Sequence, residues 1–281
     1  MALFDNCLLA SDVDGTLIDT GKISVRNIEQ IKFFCEQGGT FVIATGRCSG
    51  AMGQVFNLID KSLVGPSVFL NGGMIYDFKT ESVLYAETLP QHTKAYVNTV
   101  LEKHPEIGIE VHSDSRIFVL HATYETELHE DYELLEREYV TYDQIKFENW
   151  NKILYTCDSQ EACNNLSQTL LRLGEGECGF VQTGVVIDGV RHIYYEQMPM
   201  EINKGNGLKR LCEILNVKEG GFFAVGDFYN DLEMLKTADV SATMADSPED
   251  IKEIVNFVGG CCLDGGVADF IEYLSKSEVQ K

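Results

Sequence analysis

Four short apolar runs, separated by segments of helical periodicity, constrain the fold of this 281-residue chain more than any other feature. The runs are residues 7–10, 40–44, 67–70 and 222–225. After the first run, Ser24 is a good N-cap, apolar residues follow at helical spacing, and Gly38-Gly39 ends the helix. Continuous apolar strands alternating with helices are typical of a parallel sheet buried on both faces. We therefore predict an α/β fold built on a parallel sheet, with 67–70 as its third strand.

After Asn71-Gly72-Gly73 the alternation of apolar strands and helices stops, and a segment with a different pattern follows. Residues 74–76 and 83–85 flank a polar turn, which predicts a hairpin that leaves the sheet. The chain then mixes short strands with helices, including an acidic helix predicted over 125–138, before the α/β pattern resumes with a helix at 207–215. We predict an α/β domain interrupted by an α+β domain, with the core at 1–84 and 192–281 and the insertion at 85–191.

Three of the apolar runs end in polar residues that differ sharply from the runs themselves. These ends are Ser11-Asp12-Val13-Asp14-Gly15-Thr16, Thr45-Gly46-Arg47 and Gly226-Asp227-Phe228-Tyr229-Asn230-Asp231. In open α/β sheets, ligands bind beyond the carboxyl ends of the strands. The three polar segments are therefore expected to converge on one crevice.

The residue types in that crevice indicate its chemistry. Four carboxylates would meet there, and they would repel each other unless a cation neutralised them: Asp12, Asp14, Asp227 and Asp231. An all-oxygen ligand set favours Mg²⁺ over zinc or copper. Thr45, Gly46 and Arg47 offer a hydroxyl, backbone N–H groups and a cation, which together suit an anion. An acidic cluster with Mg²⁺ beside an anion site predicts phosphoryl transfer.

Charge and cysteine content limit the class of partner. The formal net charge is −22, which argues against a nucleic-acid binder because phosphate backbones need a basic surface. No apolar run is long enough to span a membrane, and the N-terminus lacks a secretory pattern. Nine cysteines without framework spacing indicate reduced thiols, so we predict a cytoplasmic protein. The sequence carries no signal for a particular oligomeric state.

Four segments in chain order resemble the motifs of the haloacid dehalogenase (HAD) superfamily of phosphatases, in its Cof-like branch, subfamily IIB. They are Asp12-Val13-Asp14-Gly15-Thr16-Leu17, Ala44-Thr45-Gly46-Arg47, Lys204-Gly205 and Gly226-Asp227-Phe228-Tyr229-Asn230-Asp231. The resemblance continues through Ala245-Asp246-Ser247-Pro248 and Gly266-Val267-Ala268, so it covers both core segments. It implies a Rossmann-like HAD core, and it implies that the insertion is a C2-type α+β cap.

The resemblance also implies roles for individual residues. Asp12 would be the nucleophile that forms an aspartyl-phosphate, and Asp14 would be the general acid and base. Four residues would bind the phosphoryl group: Thr45, Gly46, Lys204 and Asn71. Four would hold Mg²⁺, with Asp14 using its carbonyl and Asp231 either a ligand or an outer partner: Asp12, Asp14, Asp227 and Asp231. Asn230 would support the fourth motif.

Together these features predict a Mg²⁺-dependent phosphatase, a hydrolase that acts on small phosphomonoesters such as sugar phosphates or related metabolites. A phosphosugar mutase with the same aspartyl-phosphate is one alternative, since both enzymes need the same groups around the phosphoryl. A catalytically silent phosphate-binding regulatory module is another.

The sequence alone leaves two interpretations open for Arg47 and two for Asn71. Arg47 is either a substrate contact or part of a structural salt bridge, and Asn71 either binds phosphate or terminates a strand. Gly207 would loosen the start of the helix that carries Lys204, and the bulk of Phe228-Tyr229 would narrow the site.

Overall fold

The computed structural model describes residues 2–133, 135–187 and 189–276. Their contacts divide the chain into two compact units. The first unit contains Met1–Arg47, Met52–Tyr85 and Asn203–Lys281, and the second contains Cys48–Ala51 and Ala86–Ile202.

A five-stranded parallel sheet forms the centre of the first unit. In spatial order its strands are Phe257–Val258, Val240–Thr243, Phe222–Val225, Leu8–Ser11 and Thr40–Ile43. The helices of this unit are Val25–Glu36, Gly53–Phe56, Lys204–Leu215, Leu232–Thr237, Glu249–Lys252 and Gly266–Lys276. The predicted α/β class is therefore confirmed.

Burial on both faces explains why the strands are continuously apolar. Leu8 and Ala10 pack in one hydrophobic cluster with Leu208 and Leu211 of a covering helix. Leu9, which alternation directs to the opposite face, is equally buried. The register places Ser11 beside both Val225 and Ile43, so the three strands end level with each other. Their polar continuations consequently emerge at one edge of the sheet.

The strand predicted at 67–70 does not belong to that sheet. Ser67–Phe69 pairs antiparallel with Met74–Asp77, and Ser82–Ala86 completes a separate three-stranded sheet. Only isolated parallel bridges, such as Ala44 with Val68, connect it to the main sheet within the described residues. The turn at 70–72, with a positive φ at each of its residues, reverses the chain and allows the antiparallel pairing. The strands Val240–Thr243 and Phe257–Val258 were not predicted, because they are short and only partly apolar.

The second unit has a six-stranded sheet of mixed direction. Its spatial order is Arg137–Tyr139, Arg116–His121, Gly108–Ser113, Lys152–Cys157, Val190–Met198 and Gly179–Ile187. Its helices are Tyr96–Lys103, Tyr124–Glu133, Tyr142–Ile145 and Gln160–Gly174. A hydrophobic cluster around Trp150 and Tyr155 includes residues from three of these helices: Tyr96–Lys103, Tyr142–Ile145 and Gln160–Gly174.

The acidic helix predicted over 125–138 is shorter than expected. It spans Tyr124–Glu133, and residue 134 lies outside the described residues. Arg137–Tyr139 is instead an edge strand parallel to residues 117–119. The buried Arg137 lies beside Glu110 of the same sheet, at 3.4 Å. Helical periodicity does not reveal that ion pair.

No helix among the described residues is both long enough and apolar enough to cross a membrane.

Candidate active site

Asp12 leaves the first strand at the edge where the polar segments meet. Its backbone N–H donates to the carbonyl of Val225 at 3.0 Å, so it continues the sheet pairing by one residue. Its side chain is buried. The chain then turns at Gly15, whose φ of +86° lies in the left-handed region that favours glycine. Asp12 is thus fixed by the sheet itself.

Lys204 joins two of the predicted acidic residues, although it lies far from both in sequence. Its helix begins at Lys204 because the side chain of Asn203 caps it, accepting from the N–H of Asn206 at 2.8 Å. The fully buried Nζ lies 2.6 Å from Oδ1 of Asp12 and 2.6 Å from Oδ1 of Asp231. Burial alone would lower the pKa of Lys204, but contact with the two carboxylates raises it, so the ammonium stays charged.

Gly207 does not loosen that helix. The helix is continuous over Lys204–Leu215, and a Cβ on Gly207 would stand only 2.8 Å from the Cα of Gly72. The missing side chain therefore lets the helix approach the turn at 70–72. The expectation of a looser helix start was wrong.

Asp227 and Asp231 are held by different partners. Asp227 Oδ1 accepts from the hydroxyl of Thr16 at 2.7 Å. Asp231 Oδ1 accepts from Lys204, and its Oδ2 accepts from the backbone N–H groups of Asp227 and Phe228 at 3.0 and 3.3 Å. Because both oxygens of Asp231 are engaged, this residue fixes the loop that carries Asp227.

Three carboxylates form a compact oxygen cluster. Asp12, Asp227 and Asp231 each offer an oxygen, and these atoms lie within 4.8 Å of one another. Burial, together with the charge of Asp231, raises the pKa of Asp12 well above its ordinary value and that of Asp227 to about 6. One ammonium does not offset three carboxylates, so the cluster favours a further cation. Oxygen donors alone suit a hard ion, and the residues present fit Mg²⁺.

The side chain of Asp14, the fourth predicted acid, faces Arg47. Arg47 Nε donates to Oδ2 of Asp14 at 2.9 Å, and a terminal nitrogen donates to Oδ1 at 2.6 Å. The sequence left open whether Arg47 contacts substrate or forms a salt bridge, and the structure contains a salt bridge with Asp14.

Three of the predicted phosphoryl-binding residues, Thr45, Gly46 and Asn71, lie in two loops joined by backbone hydrogen bonds. Thr45 is buried; its N–H donates to Val68 and its carbonyl accepts from Asn71, both at 3.0 Å. Asn71 is buried with a φ of 55°, and a Cβ on Gly46 would meet its side chain at 3.0 Å. Asn71 therefore contributes to the shape of the loop that contains Gly46, beyond ending a strand.

Beside Asp227 the first unit contains a cavity of about 550 Å³. Its lining residues are Gly15, Asp19, Asp227, Phe228, Asp246, Ser247, Pro248, Cys261, Cys262 and Leu263. Phe228 forms part of this wall, and its ring meets that of Tyr229 edge to face at 4.9 Å. The predicted supporting residue Asn230 is exposed in the following turn, and its role stays a prediction.

Sequence reasoning missed two residues that shape this site. Thr16 lies within the first motif, and only the structure pairs it with Asp227. Leu70 adopts a φ of 53°, which is strained for a side chain of this kind, and its N–H donates to the carbonyl of Arg47 at 3.0 Å. No residue pattern signals that conformation at a leucine.

Gly15→Ala should disturb the carboxylate cluster. A Cβ there would stand 2.6 Å from Asp227 Oδ2, in addition to the left-handed φ. We expect Mg²⁺ affinity and kcat/KM toward an aryl phosphate to fall, the latter by about 10²-fold, because displacement of a positioned group by about 1 Å has that effect. Calorimetric Mg²⁺ titration and steady-state kinetics measure both.

Gly220→Ala is the matched control for that substitution. Gly220 has a φ of +72°, but nothing lies within 4 Å of its added Cβ. Both variants should lose about 1 kcal/mol of stability from the left-handed backbone, whereas only Gly15→Ala should lose Mg²⁺ affinity. Equal losses of affinity would mean that contact with Asp227 is irrelevant.

Known phosphatases resemble this chain, one along most of its length and another along about a quarter of it. It is 26% identical over 287 residues to the 5-amino-6-(5-phospho-D-ribitylamino)uracil phosphatase of Bacillus subtilis, a match that covers 95% of this chain and 97% of that protein. A phosphoglycolate phosphatase of Methanosarcina acetivorans is 38% identical over 76 residues, which is 27% of this chain and 34% of that relative.

Solved structures share the fold. A haloacid dehalogenase-like hydrolase from Bacteroides thetaiotaomicron superposes with a TM-score of 0.81 at 22% identity, covering 95% of this chain and 99% of that one. A HAD subclass IIB sugar phosphatase superposes with a TM-score of 0.80 at 19% identity, covering 95% and 98%. The predicted HAD-type core with an added cap is thereby confirmed as the fold class.

Family membership follows from the sequence itself. Residues 9–271 match the haloacid dehalogenase-like hydrolase family, a span that includes every residue of the four motifs. The predicted enzyme class, a hydrolase, agrees with that match. This chain belongs to the haloacid dehalogenase-like hydrolase family.

Proposed function

We propose that this protein is a Mg²⁺-dependent phosphatase that hydrolyses small phosphomonoesters through an aspartyl-phosphate on Asp12. The observation that carries the proposal is the buried cluster at the sheet edge, where Lys204 lies 2.6 Å from both Asp12 and Asp231 and Asp227 lies close by. Relatives named as phosphatases, among them the Bacillus subtilis protein, support the same reaction type.

The geometry supports Asp12 as the nucleophile. An anionic carboxylate attacks an anionic phosphomonoester only where positive charge offsets the repulsion, and Lys204 supplies one such charge at hydrogen-bond distance. Mg²⁺ held by Asp12, Asp227 and the Asp14 carbonyl would supply further charge neutralisation to the phosphoryl oxygens. Asp231 would act by fixing Lys204 and the loop of Asp227.

Two half-reactions follow. In the first, an Asp12 oxygen forms a bond to phosphorus, the ester P–O bond breaks, and Asp14 gives its proton to the departing alkoxide. In the second, Asp14 takes a proton from a water molecule, whose oxygen bonds to phosphorus and releases inorganic phosphate from Asp12. Thr45, the Gly46 N–H and Asn71 would hold the phosphoryl oxygens, and the side chain of Lys204 would balance their charge.

The substrate class is argued from charge. A net charge of −22 disfavours long polyanions, whereas a small monoester meets the local charge of Lys204 and the metal. We assign sugar phosphates and related metabolites as substrates.

A phosphatase screen tests the proposal. Purified protein is incubated with 4-nitrophenyl phosphate and a panel of sugar phosphates and nucleotides, with Mg²⁺ or with chelator, and released phosphate is measured. We expect Mg²⁺-dependent release from 4-nitrophenyl phosphate and from some sugar phosphates. Accumulation of an isomerised sugar phosphate without phosphate release would indicate a mutase. The absence of turnover on every monoester would favour the silent binding module.

A further inference from the structure

We propose that the second unit contains an acid-sensitive switch centred on His112, whose imidazole must be neutral for the unit to stay folded. The inference does not depend on the proposed reaction. It starts from the place of His112 in the strand Gly108–Ser113, where the side chain is fully buried. Neither ring nitrogen has a hydrogen-bond partner in the part of the chain that the structure describes. A proton added to this ring would therefore bring a charge into the interior without a partner to receive it.

The carboxylate on the same strand is engaged with other groups. Oε2 of Glu110 lies 3.9 Å from Nε2 of His112, which is beyond hydrogen-bond distance. The same oxygen lies 2.9 Å from Nδ1 of His129 and 3.4 Å from a terminal nitrogen of Arg137. Burial would raise the pKa of Glu110, but His129 and Arg137 lower it, so the carboxylate stays ionised beside them. Its charge is thus already offset before His112 could use it.

Cationic groups face His112 from three other elements. On the next strand Lys152 is its direct partner in the antiparallel register, so the two side chains share one face of the sheet. Glu196 pairs with Lys152 at 3.2 Å, and this carboxylate too is engaged. Burial, followed by the charges of Lys152, His129 and Arg137, holds the pKa of His112 well below its ordinary value. The imidazole is therefore neutral near pH 7.

A neutral buried imidazole makes folding depend on pH in one direction. In the unfolded chain an imidazole takes up a proton near pH 6.5, whereas folded His112 does so only at lower pH. Between these two values the unfolded state binds one more proton, so the folded state weakens as the pH falls. The equilibrium constant for unfolding should rise by up to about tenfold for each pH unit below about 6.5. Acid would thus open the second unit through His112.

Trp150 supplies a local signal for the test. It is the only tryptophan in the sequence and is fully buried in the second unit. The N–H of the next residue, Asn151, donates to the carbonyl of His112 at 2.9 Å. Urea unfolding of the full-length protein in chelator, followed by Trp150 fluorescence, therefore reports on the segment that contacts His112.

His112→Leu removes the titrating group and keeps an apolar side chain in its place. Between about pH 6 and 5, we expect the unfolding equilibrium constant of wild type to rise about tenfold more than that of the variant. Protons bound by other groups are common to both proteins and cancel in this comparison. His112→Gln, which is neutral and polar, should show the same reduced pH dependence, and it keeps the test available if His112→Leu does not fold.

Ile117→Val is the matched control. Ile117 is fully buried and lies opposite His112 on the other neighbouring strand, so the substitution weakens packing at the same place without changing a charge. It should raise the unfolding equilibrium constant by one factor at every pH and keep the pH dependence of wild type. Equal pH dependence in wild type and both His112 variants would overturn the proposal. So would a reduced pH dependence in Ile117→Val, since packing would then explain the effect.

Discussion

Asp12→Asn should abolish turnover while leaving the protein folded. The amide cannot form the aspartyl-phosphate, so we expect kcat toward 4-nitrophenyl phosphate to fall by roughly 10⁴-fold or more, as when other covalent nucleophiles are removed. Acid-quenched incubation with radiolabelled substrate should trap label on the wild-type protein and none on the variant. Rapid-quench and steady-state assays measure both.

The same substitution should not destabilise the metal-free protein. Burial and neighbouring carboxylates raise the pKa of Asp12 above its ordinary value, so its ionised form opposes folding as the pH rises toward neutrality. A neutral side chain at this position removes that repulsion. We therefore expect thermal unfolding of Asp12→Asn in chelator at a temperature equal to or above that of wild type at pH 7.

Asp5→Asn is the control for loss of a carboxylate. Asp5 is exposed near the N-terminus, and its substitution should change neither activity nor melting temperature. If Asp12→Asn hydrolysed the aryl phosphate at the wild-type rate, another residue would have to be the nucleophile.

The strand-end rule predicted much of the site. Asp12 and Asp227 follow adjacent parallel strands that are in register. Because parallel strands end at the same edge of the sheet, knowing which strand each residue follows is enough to bring them together. Lys204 is different. It lies 192 positions from Asp12 and begins a helix, so its place in the site was predicted from resemblance to a family, and its contact with Asp12 was not predicted.

Contacts between distant side chains explain what the sequence left open. The sequence could not decide whether Arg47 contacts substrate or forms a salt bridge, because the spacing of residues 14 and 47 does not indicate the ion pair between them. The same holds for the ion pair between Arg137 and Glu110, which no local pattern reports. Apolar runs predicted the three strands that carry Asp12, Thr45 and Asp227 but missed two short strands of the same sheet, and buried charge pairs depend on the completed fold.

Lys204→Met should lower both stability and activity, because it leaves two buried carboxylates without their cation. Breaking a buried ion pair by removing one partner costs about 3–5 kcal/mol, and Lys204 is fully buried between Asp12 and Asp231. We expect denaturant unfolding in chelator to show a loss in that range. We also expect kcat/KM to fall by about 10³-fold, as when one group that stabilises transition-state charge is removed.

One further substitution identifies charge as the cause. Asp231→Asn in the Lys204→Met background should restore part of the loss in chelator, because it removes one of the two unpaired carboxylates. Mg²⁺ at about 100 Kd should add about 2.7 kcal/mol to wild type and to each variant that keeps the metal site, since it binds the folded state alone. Lys209→Met, at an exposed position of the same helix, should show no loss in chelator. A loss that Asp231→Asn does not relieve would mean that Lys204 acts by packing, since the charge of the cluster would then be irrelevant to folding.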